Sequence, residues 1–212
     1  NRLLTTIAYR INGKTTYAME GSIFIAGAGV QWLRDRMNFF KKASETEKII
    51  KSLKGNKGLY LVPAFTGLGA PYWDSNSRGV LSGLTRDTGP KEIIRSTIES
   101  VAYQTYDLFE AMKHDGLKPR LVKVDGGMVT NNWFSQFLSD VVNVVVLRPK
   151  VQETTALGAA FMAGLHIGVY KSLKDISRKW SLDKKFSPKM KVKNRSDLIK
   201  GWSKAIKRTL IT

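Results

Sequence analysis

Residues 120–149, "RLVKVDGGMVTNNWFSQFLSDVVNVVVLRP", start as a strand, break at Gly126 and Gly127, restart as a helix with asparagines at its mouth, and end in a second strand. In the middle piece Phe134, Phe137, Leu138 and Val141 recur at i, i+3, i+4 and i+7, the apolar face of a helix. Upstream, "TGPKEIIRSTIESVAYQTYDLFEAMKH" predicts a long core helix. Pro90 sits where a first helical residue is best tolerated, and Ile94, Ile98, Val101, Leu108 and Met112 form one stripe. "KGLYLVPAFTG" reads as a buried strand and "GVLSGL" as a short one before a turn. Nearer the start, "LLTTIAYRI" and "TTYAME" are strands joined by the hairpin signal "NGK". Downstream, "ETTALGAAFMAGLHIGVY" predicts a helix whose small residues let backbones pack closely. A basic stretch of little pattern follows. "SDLIKGWSKAIKRTLI" then closes the sequence as an amphipathic helix capped by Ser196 or Asp197, so that 172–212 reads as a basic C-terminal tail with a terminal helix. Strands alternating with helices place the chain in the α/β class, helices flanking a mixed central sheet.

Bulk composition narrows the classes of function. At 212 residues, with 42% apolar content, the chain can bury one sizeable core. Cys is absent, which removes disulfide frameworks and thiolate chemistry and makes the reducing cytoplasm the expected compartment. The first residues lack the continuous apolar run of a signal peptide, and nowhere is there a run of about eighteen apolar residues, so neither export nor a membrane span is expected. A formal net charge of +18 favours anionic partners. The lysines are scattered through "NFFKKASETEKIIKSLKGNKG" and the C-terminal stretch rather than interleaved with aromatics, the pattern of a solvated surface and not of a nucleic-acid face.

A strand that ends in Asp-Gly-Gly and feeds a helix builds the crevice where α/β folds hold ligands. Gly126 and Gly127 carry no Cβ to obstruct a ligand, free N–H groups at a helix start attract anions, and Asn131 offers an amide. In "SIFIAGAGVQWLRDRMNFF" a helical apolar pattern is interrupted by Gly27 and Gly29, which implies a loop before the helix or a close approach by another segment. Gln31 lies one turn beyond Gly27 on the same side. Asp125 ends its strand as a cap or within reach of a magnesium-bound water, and is not read as a catalytic base. His114 and His166 have no metal-ligand spacing. "FTGLGAPYWD" resembles a phosphate loop, but Pro71, Tyr72 and Trp73 suit a rigid packed turn.

"GVLSGLTRDTGPKEIIRSTIE" carries the spacing of the second signature of the FGGY carbohydrate kinases: Gly79, Leu81, Gly83 and Leu84, then Glu92, Ile93, Ser96, Thr97, Ile98 and Glu99. "LLTTIA", "YAMEGSIFIAGAGVQWLRD", "LVPAFTGLGAPYWD", "VDGGMVTNNWFSQFLSD" and "ETTALGAAFMAGL" extend the resemblance over essentially the whole chain, and within that family point to the branch that phosphorylates glycerol. The resemblance implies an actin-like, ribonuclease-H-type ATPase lobe over 1–212, the C-terminal of two lobes with the substrates in the cleft between them. It implies ATP with Mg2+ as the phosphoryl donor and contacts to ATP from Gly27, Gln31, Gly127 and Asn131. Glycerol, the general base and most of the metal carboxylates would be held by the N-terminal lobe, so no catalytic and no metal-binding residue is expected here. Met128 and Thr130 stand where the family has small residues, and Asp87 follows "LTR" where glycine is common, changes that affect loop packing. An exposed face toward the other lobe would favour a homo-oligomer. Other readings are a related sugar or pentulose kinase, a non-catalytic nucleotide-binding scaffold, and a basic nucleic-acid module, this last disfavoured by the lysine pattern.

Overall fold

The computed structural model describes residues 3–210. The strand–helix–strand unit folds as its pattern requires. β5 (Leu121–Lys123) runs parallel to β6 (Val145–Pro149), with α4 (Asn132–Val142) crossing between them. All four apolar residues of the α4 stripe are buried, Val141 completely. Ahead of this unit come β1 (Leu4–Ile11), β2 (Lys14–Glu20), α1 (Gly27–Asp35), α2 (Glu45–Lys51), β3 (Tyr60–Val62), β4 (Val80–Ser82) and α3 (Pro90–His114). After it come α5 (Thr154–His166), α6 (Leu173–Ser177), β7 (Leu182–Phe186) and α7 (Val192–Thr209).

β1 and β2 form an antiparallel hairpin turned by Asn12 and Gly13 at φ 50° and 78°, the two positive φ values of a type I′ turn. β3 and β4 form a second antiparallel pair. The mixed sheet is the third, in the order β5-β6-β7, with β7 antiparallel to β6. Helix α3 is the spine. Ile94, Ile98, Val101 and Leu108 are buried as the stripe predicts, and Tyr103 stacks on the fully buried Trp202 of α7 at 5.3 Å between ring centroids. The core joins α1, α3, α4 and α7 to β3 and β6 through Leu33, Ile98, Val62, Phe137, Val146 and Ile206.

Three local expectations change. The terminal helix begins at Val192 with Lys191 at its N-cap, so Ser196 and Asp197 lie within it rather than capping it. Arg195 on its second turn donates to the Val141 carbonyl at 2.7 Å, a tertiary tie that overrides the local start signal. Its predicted final residue Ile211 lies outside the described residues. The basic stretch before α7 contains β7, which the charges of "LDKKF" conceal; lysines on an outermost strand discourage pairing with another chain. Finally, the small residues of α5 do not bring backbones together. Most of that helix is exposed or half-buried, and its one buried residue, Gly164, packs against the Tyr170 ring.

Candidate functional site

The loop after β2 delivers the chain to Gly27, where α1 starts. Gly27 and Gly29 prove to have different jobs. A Cβ on Gly29 would meet the Thr97 methyl at 3.0 Å, which is how closely α1 approaches α3. At Gly27 no atom of another segment lies within 4 Å of that point. The space belongs to a cavity of about 570 Å³, lined by Gly27, Val30, Gln31 and Arg34 of α1, and by Thr46 and Glu47 of α2 with Ser44 just before them. The facing wall is Gly127, Met128, Thr130 and Asn131, with Ile98 of α3 among the lining residues. All four residues singled out in the sequence therefore border one space, of a size typical for a small-molecule pocket.

At Gly127 the break is not a simple strand-to-helix turn. A single 3-10 turn, Gly127–Thr130, stands between β5 and α4, entered through Gly126 at φ 81°. Gly127 also has open space where a Cβ would project. Asn131 then caps α4: its Oδ1 accepts from the Phe134 N–H at 3.0 Å, and its Nδ2 makes a long contact of 3.4 Å to Thr46 Oγ1. The amide thus performs the capping role that its residue type favours, at the positive end of a helix that opens on the cavity.

Helix α2 carries lining residues that the sequence reading missed. Their signal was a Ser-Glu-Thr-Glu start before an apolar pair, a helix-opening pattern hidden among lysines. Thr46 is buried and donates to the Ala43 carbonyl at 2.7 Å. Glu47 Oε2 accepts from the Asn132 N–H at 3.2 Å, and its Oε1 from Lys51 at 2.5 Å. Partial burial works to raise the Glu47 carboxyl, but the Lys51 ammonium and the Asn132 N–H outweigh it and hold the group below its ordinary range. A fixed carboxylate therefore lies on the cavity wall. α2 and α4 are laced together through it.

Other sequence candidates fall elsewhere. Asp125 Oδ2 accepts from Thr154 Oγ1, tying the end of β5 to the start of α5. His114 and His166 end α3 and α5. Among the described residues no group of three His, Cys, Asp or Glu is placed to hold a metal ion. The stretch Phe65–Asp74 is packed: a Cβ on Gly69 would lie 2.2 Å from the Ser22 carbonyl oxygen. Tyr72 and Trp202 both donate to Asp107 Oδ2, at 2.9 and 2.7 Å. No helix among the described residues is long and apolar enough to cross a membrane.

A mixed sheet with helices packed on it, and a cavity bounded by two unobstructed glycines and a helix N-terminus, make an α/β lobe with a crevice of small-molecule size. The model of the FGGY family of carbohydrate kinases, C-terminal domain, matches residues 4–167, and the chain belongs to that family. It is similar to glycerol kinases along its whole length: 55% identical over 208 residues to glycerol kinase 1 of Pseudomonas aeruginosa, covering 98% of this chain and 42% of that protein. Its fold matches the crystal structure of Plasmodium falciparum glycerol kinase with ADP at a TM-score of 0.88 and 38% identity, over 99% of this chain and 42% of that one. A xylulose kinase from Lactobacillus acidophilus shares the fold at a TM-score of 0.77 and 24% identity. The fold is the actin-like ATPase lobe, and the chain spans about two fifths of the length of the relatives it matches.

Proposed function

We propose that the cavity between α1, α2 and the Gly127 turn holds ATP, and that this chain is the nucleotide-gripping lobe of a kinase that transfers the γ-phosphoryl group to glycerol. The observation that carries the reading is the convergence of Gly27, Gln31, Gly127 and Asn131 on one cavity. The fit is steric: open space at both glycines admits a bulky ligand beside the start of α4, whose Asn132 and Phe134 N–H groups are held by Glu47 and Asn131. The ADP named with the Plasmodium relative and the glycerol kinase identity of the others support nucleotide and substrate class.

Phosphoryl transfer asks for in-line placement and neutralisation of spreading charge more than for covalent help from the protein. The role assigned to this lobe is to fix adenosine and phosphates and to close against a second lobe, excluding water so that ATP is not spent on hydrolysis. Mg2+ would enter with the triphosphate; nothing among the described side chains is assigned to it. The second lobe corresponds to the remaining length of the relatives and would supply glycerol binding and the base. Exposed apolar side chains such as Leu4, Ile7, Tyr17 and Ile167 support a lobe that works against another surface and that self-associates into homo-oligomers. The cytoplasm is the proposed compartment. On this reading the 212-residue chain binds adenine nucleotide weakly and does not turn over. Two measurements test it: ATP-dependent phosphorylation of glycerol, xylulose and gluconate by the complete kinase, where a preference for a sugar over glycerol would refute the substrate, and the same assay on the 212-residue chain alone, where turnover would refute the division of labour.

A further inference from the structure

We propose that Arg148 is a positioning residue for nucleotide binding, holding the Gly127 turn in its open shape from behind; the inference rests on the reading that this turn grips nucleotide. The turn is weak on its own. Its internal backbone bonds are long, 3.4 Å from the Val129 N–H to Gly126 and 3.3 Å from the Asn131 N–H to Met128, and a one-turn 3-10 element has poor hydrogen-bond geometry in general. Support comes from β6. The Arg148 side chain, on a residue only 8% exposed, donates through Nη1 to the carbonyls of Val129 at 2.7 Å and Thr130 at 3.2 Å, and through Nη2 to Asn132 Oδ1 at 3.2 Å. Its Nε bonds Asp183 Oδ2 on β7 at 2.7 Å.

One planar fork therefore connects the mixed sheet to two carbonyls of the turn and to the first residue of α4. Val129 O also accepts from the buried Ser135 hydroxyl at 3.0 Å. These carbonyls are committed to cationic and hydroxyl donors, so they are not free to swing toward an incoming phosphate, which they would repel. Thr130, whose carbonyl accepts one of the Arg148 bonds, and its neighbour Asn131 line the cavity. Lysine cannot replace this arrangement: an ammonium is a point charge without a fork, and it cannot reach Asp183, both carbonyls and Asn132 in one plane. Arg148 is not itself among the cavity-lining residues and meets the lining only at the Thr130 carbonyl, so its effect on nucleotide is exerted through the turn. β7 gains a function by the same route, since Asp183 sets the direction of the guanidinium.

The test compares Arg148→Lys with Arg195→Lys. Arg195 makes a single bond of the same 2.7 Å length to a backbone carbonyl, at the far end of α4, and is the control for losing an arginine–carbonyl tie away from the turn. ADP binding to the 212-residue chain is measured by calorimetry, alongside thermal midpoints and amide hydrogen exchange at residues 127–130. The expected result is ADP affinity weaker by about tenfold or more in Arg148→Lys, with faster exchange confined to the turn, and near-wild-type affinity in Arg195→Lys at a comparable loss of thermal midpoint. Wild-type affinity in Arg148→Lys would overturn the inference while leaving the nucleotide site standing. Equal losses in both variants would also overturn it, by showing that general destabilisation is the cause. If wild type itself binds no ADP, or Gly127→Val binds it as wild type does, the underlying site reading falls and this inference with it.

Discussion

Two glycine-rich stretches of this chain look alike on paper and behave oppositely in space. "FTGLGAPYWD" and "VDGGMVTNN" each offer closely spaced glycines in a loop at the end of a strand. In the first, the space a side chain would need is already occupied by protein: Asp74 O lies 2.6 Å from where a Gly67 Cβ would stand, and Ser22 O lies 2.2 Å from that of Gly69. In the second, nothing from another segment lies within 4 Å of the corresponding points at Gly126 and Gly127. The first set of glycines lets protein approach protein. The second leaves room that the chain itself does not use. Glycine content alone does not mark a binding loop; what decides is whether the missing Cβ has been replaced by the fold.

The largest effect is expected for Gly69→Ala. A methyl 2.2 Å from a backbone oxygen cannot be relieved by a rotamer change, so unfolding free energy should drop by at least about 3 kcal/mol, read from urea denaturation. A near-neutral result would mean that this loop is as open as the other.

Next comes the lock on the packed loop. Asp107 on α3 is half-buried, and loss of water around it pushes its carboxyl up to about 6 although Trp202 and Tyr72 both donate to it. The folded state therefore keeps a proton that an unfolded aspartate releases near its ordinary value of about 3.9. Between about pH 4 and 6 the folded chain binds more protons, so this group's contribution to stability falls as pH rises through that window and remains low above it. Asp107→Asn keeps an acceptor oxygen and removes the titration. Relative to wild type it should gain roughly 1–3 kcal/mol on going from pH 4 to pH 7, measured as a difference of urea midpoints at matched slope. A pH-independent difference would exclude Asp107 as a titrating lock.

In the open loop the expected stability effects are smaller and the binding effects larger. Asn131→Ala removes the cap on α4 and should cost about 1 kcal/mol of stability, with a measurable loss of ADP affinity by calorimetry. Gly27→Ala, at the first position of α1, should change stability by less than about 1 kcal/mol in either direction while weakening nucleotide binding. If stability fell as far as in Gly69→Ala, Gly27 would belong with the packed glycines.

What the sequence disclosed follows the same division. Long elements with a strong period were legible: the stripes of α3 and α4 are buried nearly residue for residue, and the Asn12-Gly13 hairpin turned as its chemistry demands. Elements held by tertiary ties were not. β7 is written in lysines and is a strand because β6 offers it an edge, and α7 starts early because Arg195 reaches α4. At the site, Gly27, Gln31, Gly127 and Asn131 could be named in advance through the resemblance to the family motif; the steric logic of glycine and the capping logic of asparagine agree with it but by themselves mark only turns and caps. The α2 wall and the Arg148 brace could not. Thr46, Glu47 and Arg148 come to the site through contacts with residues far away in the chain; the helix-start pattern at 44–47 marks an element but not its place beside the cavity.

The most direct measurement is calorimetry of magnesium-ATP with the wild-type chain and with Gly127→Val. Wild type should bind, and the variant should bind at least about tenfold more weakly while its thermal midpoint stays close to wild type, because the valine enters space that only the ligand uses. Equal affinity in the two proteins would contradict the account and remove the cavity from consideration as the nucleotide site.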